Sequence, residues 1–143
     1  DDLEGYRILR GSTRIPLAAG ENCYTEGELI ALAESGLVDV VMPDLARVGG
    51  LAAAITGARA ARAAGRGYSP HHYASDIGFS AMLALCAVVG DPDPLLRDVS
   101  PWPLRSELLE EPLEVAHGIA RPWSGPGLAP DPRAVVIEEY RVL

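Results

Sequence analysis

The chain has 143 residues, is 48% hydrophobic and 22% charged, and carries a formal net charge of −8 at pH 7. That length suits one domain with its own core, and the composition is that of a globular protein. The acidic balance argues against a nucleic-acid partner, which needs a basic surface, and all 12 basic residues are Arg, so these residues cannot supply a lysine base.

Leu3, Tyr6, Ile8 and Leu9 in a charged setting predict a short amphipathic helix ending near Gly11. A buried strand follows near 15–19, with Glu21 just past its end. Thr25 and Glu28 have the spacing of a capping box, which starts a helix near 25–35 that Gly36 stops. A second strand near 38–43 runs into Pro43-Asp44. Gly49-Gly50 turns the chain into an Ala-rich helix near 51–64, closed by Gly65 and Gly67. The third strand, near 67–70, ends at Pro70-His71-His72, and a helix near 78–89 follows. Leu95, Leu96 and Val99 suggest a fourth short strand near 95–99. From about Pro101 prolines, tryptophans and scattered acids replace this rhythm, with Val135-Val136-Ile137 as a late strand.

Strand and helix alternate at a period of roughly 23–28 residues, the spacing of β-α units. The strand runs are apolar throughout, which predicts a parallel sheet covered on both faces. The expected fold is therefore α/β: about four parallel strands with helices, half of a (β/α) barrel over residues 1–105, then an irregular C-terminal tail over 106–143 that packs on a capping domain or partner chain. Cys23 and Cys86 have no metal-ligand or redox spacing and read as packing thiols in a reducing, cytoplasmic compartment. Asp1 to Gly11, charged and amphipathic, do not read as a leader segment, and none is expected. The longest apolar run, Phe79 to Val89, is too short to span a bilayer, so no membrane partner is expected.

The polar residues of catalytic type fall at the C-terminal strand ends: Glu21, Asp44 and His71. In a (β/α) barrel that rim carries the active site. A carboxylate on one strand end can hold the imidazole on the next, fixing its tautomer and leaving the second nitrogen to move protons. Asp44 is equally suited to an Asx-turn after Pro43. Asn22, Arg47 and His72 are candidate substrate contacts at the same rim. Arg47 also suits a rim salt bridge, and His72 a packing role. His117 reads as a surface residue.

Three motifs carry a family resemblance: Ala-Gly-Glu-Asn (19–22), Pro-Asp-Leu-Ala-Arg-Val-Gly-Gly (43–50) and Ser-Pro-His-His-Tyr (69–73). In that order and spacing the chain resembles the C-terminal part of the mandelate racemase/muconate-lactonizing-enzyme group of the enolase superfamily. The resemblance runs on through Pro-Leu-Arg (103–105) to Gly-Pro-Gly-Leu (125–128). It implies the C-terminal half of a (β/α)7β TIM-like barrel and abstraction of the proton beside a substrate carboxylate with Mg²⁺ as cofactor. It makes Glu21 similar to the third of three carboxylate metal ligands, and Asp44 and His71 similar to the Asp–His dyad of the sixth and seventh strands. The other two ligands and the lysine base of that alignment precede residue 1. At the eighth strand, where relatives commonly carry Glu, this chain has Arg97, or Leu96 with one deletion, and Asp98 as a stand-in. The implied substrate is a hydroxy-carboxylate or acid sugar, for a lyase of the dehydratase type or a racemase. The alternative expectation is a truncated or split fragment without activity of its own. In either case a homo-oligomer, or assembly with a complementary N-terminal half, is expected.

Overall fold

The computed structural model describes residues 2–142. Helix α1 (Leu3–Ser12) starts at Asp2, whose carboxylate accepts the Gly5 N–H at 2.9 Å. Helix α2 (Glu26–Ser35) has the predicted capping box: the Thr25 hydroxyl accepts the Glu28 N–H, and the Glu28 carboxylate accepts the Thr25 N–H. Gly36, at φ 71°, ends it in a left-handed turn that favours glycine. Helix α3 (Leu51–Ala63) and helix α4 (Asp76–Val89) follow in the predicted places.

Between these helices, β1 (Ala18–Ala19), β2 (Val40–Val41) and β3 (Gly67–Tyr68) form one parallel sheet in sequence order. Ala18 pairs with Val40, and Val40 with Gly67. The regular ladders are shorter than the apolar runs, but single bonds extend them. Met42 N–H donates to the Ala19 carbonyl and Ser69 N–H to the Val41 carbonyl, each at 2.9 Å. The architecture is mixed α/β with parallel strands.

Ala19, Val41 and Tyr68 share one sheet face, buried with Leu29, Leu32, Ala54, Ala58 and Ala61 of α2 and α3. The opposite face, bearing Ala18, Val40 and Gly67, is not fully covered by the described residues. Among the described residues, the expectation of two covered faces is therefore met in full on the first face only.

Two predicted strands are absent. The chain does return beside β3: Asp93 N–H donates to the Tyr68 carbonyl at 2.9 Å, and the Ser69 hydroxyl to the Pro94 carbonyl at 2.8 Å. Residues 95–99 then form no ladder. Pro92 and Pro94 cannot donate, and Asp98 turns back to accept the Ser100 N–H at 2.8 Å. The β-branched run 135–137 lies in a short helix, labelled α6 (Ala134–Glu139), after α5 (Pro103–Ser106) and a hairpin of β4 (Val115–Ala116) and β5 (Ile119–Ala120). Only Val136 of the three is buried, so a helix that satisfies its own backbone wins over a strand lacking a partner.

The tail packs on α4 of the same chain. Leu113 and Ala120 lie against the Phe79, Met82 and Leu83 cluster, and the Ser80 hydroxyl donates to the Leu128 carbonyl at 2.5 Å. No described helix is long and apolar enough to cross a membrane. Both cysteines are free thiols.

Arg10 ties α1 to the opposite end of the sheet by a two-pronged pair with Asp39, one contact being 2.9 Å. Arg10 first, then the Leu17 N–H at 2.8 Å, hold the Asp39 carboxyl below its ordinary value. A carboxyl depressed on folding stabilises above its unfolded pKa, and that stabilisation fades as pH falls through the folded value. Asp39→Asn is therefore expected to lower stability at neutral pH and to flatten its decline below pH 4, read from chemical unfolding at a series of pH values.

Candidate active site at the strand ends

The site begins where β2 and β3 end. Pro43 and Pro70 are buried, and the His71 N–H donates to the Pro43 carbonyl at 3.0 Å, so Asp44 and His71 face each other in an isolated parallel bridge. Asp44 Oδ2 lies 2.8 Å from His71 Nδ1, and Asp44 Oδ1 accepts the Ala46 N–H at 2.9 Å. The Asx-turn and the imidazole contact thus coexist on the two oxygens of one carboxylate. The Asp44 side chain is 10% exposed and that of His71 26%. A carboxylate has no proton to give, so Nδ1 donates. That leaves a lone pair on His71 Nε2, which has no hydrogen-bond partner among the described residues. A cavity of about 300 Å³ lies alongside, lined by Asp44, His71, His72, Gly78, Met82 and Leu128 among others.

Glu21 lies in the turn at the end of β1, closed by the Cys23 N–H donating to the Gly20 carbonyl at 3.0 Å. Gly20 is required there: its φ is 130°, and a Cβ would sit 3.0 Å from the Met42 nitrogen. The Glu21 carboxylate accepts from the Gly20 N–H at 3.1 Å and from the Asn22 amide at 3.3 Å. Arg47 donates to the Asn22 carbonyl oxygen at 2.7 Å and to the Tyr24 hydroxyl at 3.4 Å, with its guanidinium 6.0 Å from the Tyr24 ring centre. The structure therefore joins Glu21, Asn22 and Arg47 in one network spanning the β1 and β2 ends. Sequence reasoning missed Tyr24, whose only signal is its place in the turn after Glu21.

Mg²⁺ takes about six oxygens at near-ideal octahedral positions. Among the described residues no three His, Cys, Asp or Glu side chains converge in the way a metal ion requires. Glu21 brings one carboxylate to this rim, so these residues alone do not fit a magnesium site.

His72 turns away from His71, its Nε2 2.8 Å from the Ser75 carbonyl oxygen. Asp98 lines a different cavity, with Arg97 and Arg105. Its carboxylate is engaged by the Ser100 N–H, the Ser100 hydroxyl at 3.1 Å and Arg105. The Ser100 N–H foremost, then the Ser100 hydroxyl and Arg105, hold the Asp98 carboxyl below its ordinary value. Asp98 is thus an ionised acceptor with its own partners, not a free donor. Arg97 pairs with buried Asp76 at 3.2 Å and lies 5.2 Å above the Phe79 ring centre. His117 is exposed at the hairpin turn, with φ 52°.

Residues 1–134 match the family described as enolase C-terminal domain-like, and the chain belongs to that family. It is 29% identical over 142 residues to the D-gluconate dehydratase of Thermoproteus tenax, covering 99% of this chain and 29% of that enzyme. The 3,6-anhydro-D-galactonate cycloisomerase of Zobellia galactanivorans has a similar structure, with a TM-score of 0.87 and 29% identity over 97% of this chain and 39% of that one. An enolase from Bradyrhizobium, solved with magnesium and mandelic acid, gives a TM-score of 0.80 and 28% identity over 99% of this chain and 37% of that one. The chain thus spans between 29% and 39% of the length of these relatives.

Proposed function

We propose that these residues form the C-terminal half of a (β/α)7β barrel, and carry the proton-transfer side of a Mg²⁺-dependent active site acting on acid sugars. The observation behind this reading is the 2.8 Å contact of Asp44 with His71 Nδ1, which leaves Nε2 open at the strand ends. In that state Nε2 takes the proton from the carbon beside a substrate carboxylate. In the protonated state it gives a proton to the departing β-oxygen as that C–O bond breaks; the oxygen leaves as water in a dehydration and stays on the molecule as a hydroxyl when a ring is opened. Kinship with a D-gluconate dehydratase and a cycloisomerase supports the acid-sugar class. Glu21 would contribute one carboxylate to the metal, the remaining ligands coming from the other half of the barrel. In this reading Asn22 and Arg47 hold Glu21 in place.

The incompletely covered sheet face and the flank of β1, with Ile15 72% exposed, support assembly with a complementary half or a second copy. Residues 106–143 would then pack on a capping domain or partner chain as well as on α4. The test is a screen of acid sugars and α-hydroxy acids with Mg²⁺, using residues 1–143 with and without a complementary N-terminal half. Turnover only on mixing is expected. Residues 1–143 alone should bind Mg²⁺ no better than a surface carboxylate, and turnover by them alone overturns the shared-site reading.

A further inference from the structure

The role of His72 rests on the proposed Asp44–His71 pair and adds to it. The His72 ring is held at two points, both at the start of α4. Its Nε2 is 2.8 Å from the Ser75 carbonyl oxygen, an atom that can only accept, so Nε2 carries the proton. Ser75 is the N-cap of α4, and its carbonyl also accepts the Phe79 N–H at 3.2 Å, so this oxygen belongs to the helix rather than to a loose loop. The ring also fills the space over Gly78, in the first turn of α4. A Cβ at Gly78 would collide with His72 Cε1 and lie 2.9 Å from Nδ1, closer than real side chains approach. Gly78 leaves room for this ring.

The consequence follows from chain geometry. Neighbouring residues on an extended segment point to opposite sides. The His71 backbone is already pinned to Pro43 by its N–H. Fastening the His72 ring to α4 then fixes the rotation of the strand end, and that rotation aims the His71 ring at Asp44. We infer that His72 is a positioning residue, a wedge between β3 and α4 that holds His71 in the Nδ1–H form facing Asp44. Its donor nitrogen is taken by Ser75, so it does not donate to a substrate.

Long-range ¹H–¹⁵N spectra of the ring nitrogens at a pH where the imidazoles are neutral test this directly. The unaltered chain is expected to show His71 protonated at Nδ1. In His72→Ala, the preference for that tautomer should fall by about tenfold or more, the ratio a hydrogen bond to a charged group sustains. His72→Gln, whose amide N–H can reach the Ser75 carbonyl, should restore most of it. Gly78→Ala should produce the same loss with His72 still present, pressing on the ring from the helix side; it also answers for His72→Ala if that variant does not fold. A His71 tautomer unchanged in His72→Ala or in Gly78→Ala, whatever happens to the melting temperature, overturns the inference. A His71 protonated at Nε2 in the unaltered chain overturns the Asp44–His71 reading and this inference with it.

Discussion

Asp44→Asn is expected to cut turnover of the assembled enzyme by about 10⁴-fold, the scale seen when an Asp that orients a catalytic imidazole becomes its amide. The substitution keeps the shape and loses the logic. Asp44 Oδ1 accepts the Ala46 N–H at 2.9 Å, so the amide oxygen of Asn must stay there to keep the turn. Its NH₂ group then faces His71 Nδ1, where Oδ2 stood at 2.8 Å. An NH₂ group donates, which forces Nδ1 to accept and moves the imidazole proton to Nε2. The nitrogen that should act as base loses its lone pair. Because the turn survives, thermal stability should change little, and the test is kcat beside the unfolding midpoint. A loss of less than tenfold with the fold intact would show that Asp44 does not set the tautomer.

The largest stability effect is expected at the α2–α3 contact. Leu29 is fully buried, and Leu29→Ala should cost about 2–5 kcal/mol through lost transfer energy and the cavity left behind. Opposite it stands Gly57, mid-helix in α3, where a Cβ would lie 2.5 Å from Leu29 Cδ1 and 2.9 Å from Leu29 Cβ. Helix propensity alone favours Ala over Gly by about 1 kcal/mol. Overpacking against a fixed core side chain costs about 1–3 kcal/mol, so Gly57→Ala should be net destabilising or neutral. Leu29→Ala removes the Cγ and Cδ1 contacts but keeps Cβ at 2.9 Å, so the same Gly57→Ala change should cost less there, by about 1–3 kcal/mol, than in the unaltered chain. Urea unfolding of the two single variants and the double variant measures this. Additive effects would mean that the helices shift apart instead of interlocking.

What the sequence disclosed and what it hid divide along physical lines. The Thr25–Glu28 capping box and the Gly36 stop are local devices, complete within a few residues, and both are present as spaced. The meeting of Asp44 and His71 was also legible, because parallel strands bring equivalent ends together whatever the loop between them does. The Arg47–Asn22 bond was not, since it depends on how two turns 25 residues apart lean toward each other. Residues 95–99 misled because their side chains have commitments stronger than a ladder: Arg97 to Asp76, and Asp98 to Ser100 and Arg105. Val135-Val136-Ile137 misled because β-branching favours a strand only where an edge is free to pair. The partly open sheet face is a property of what covers the apolar runs, which their composition does not encode.

The central claim is that His71 moves the proton. The most direct measurement is the rate of product formation from D-gluconate and related acid sugars with Mg²⁺, comparing the unaltered residues 1–143 with His71→Asn, each mixed with the complementary barrel half and matched for folded content. The account predicts that the unaltered mixture turns over and that His71→Asn loses about 10²–10⁴-fold in kcat, the share that a positioned acid or base supplies. Turnover by His71→Asn at the unaltered rate would contradict it.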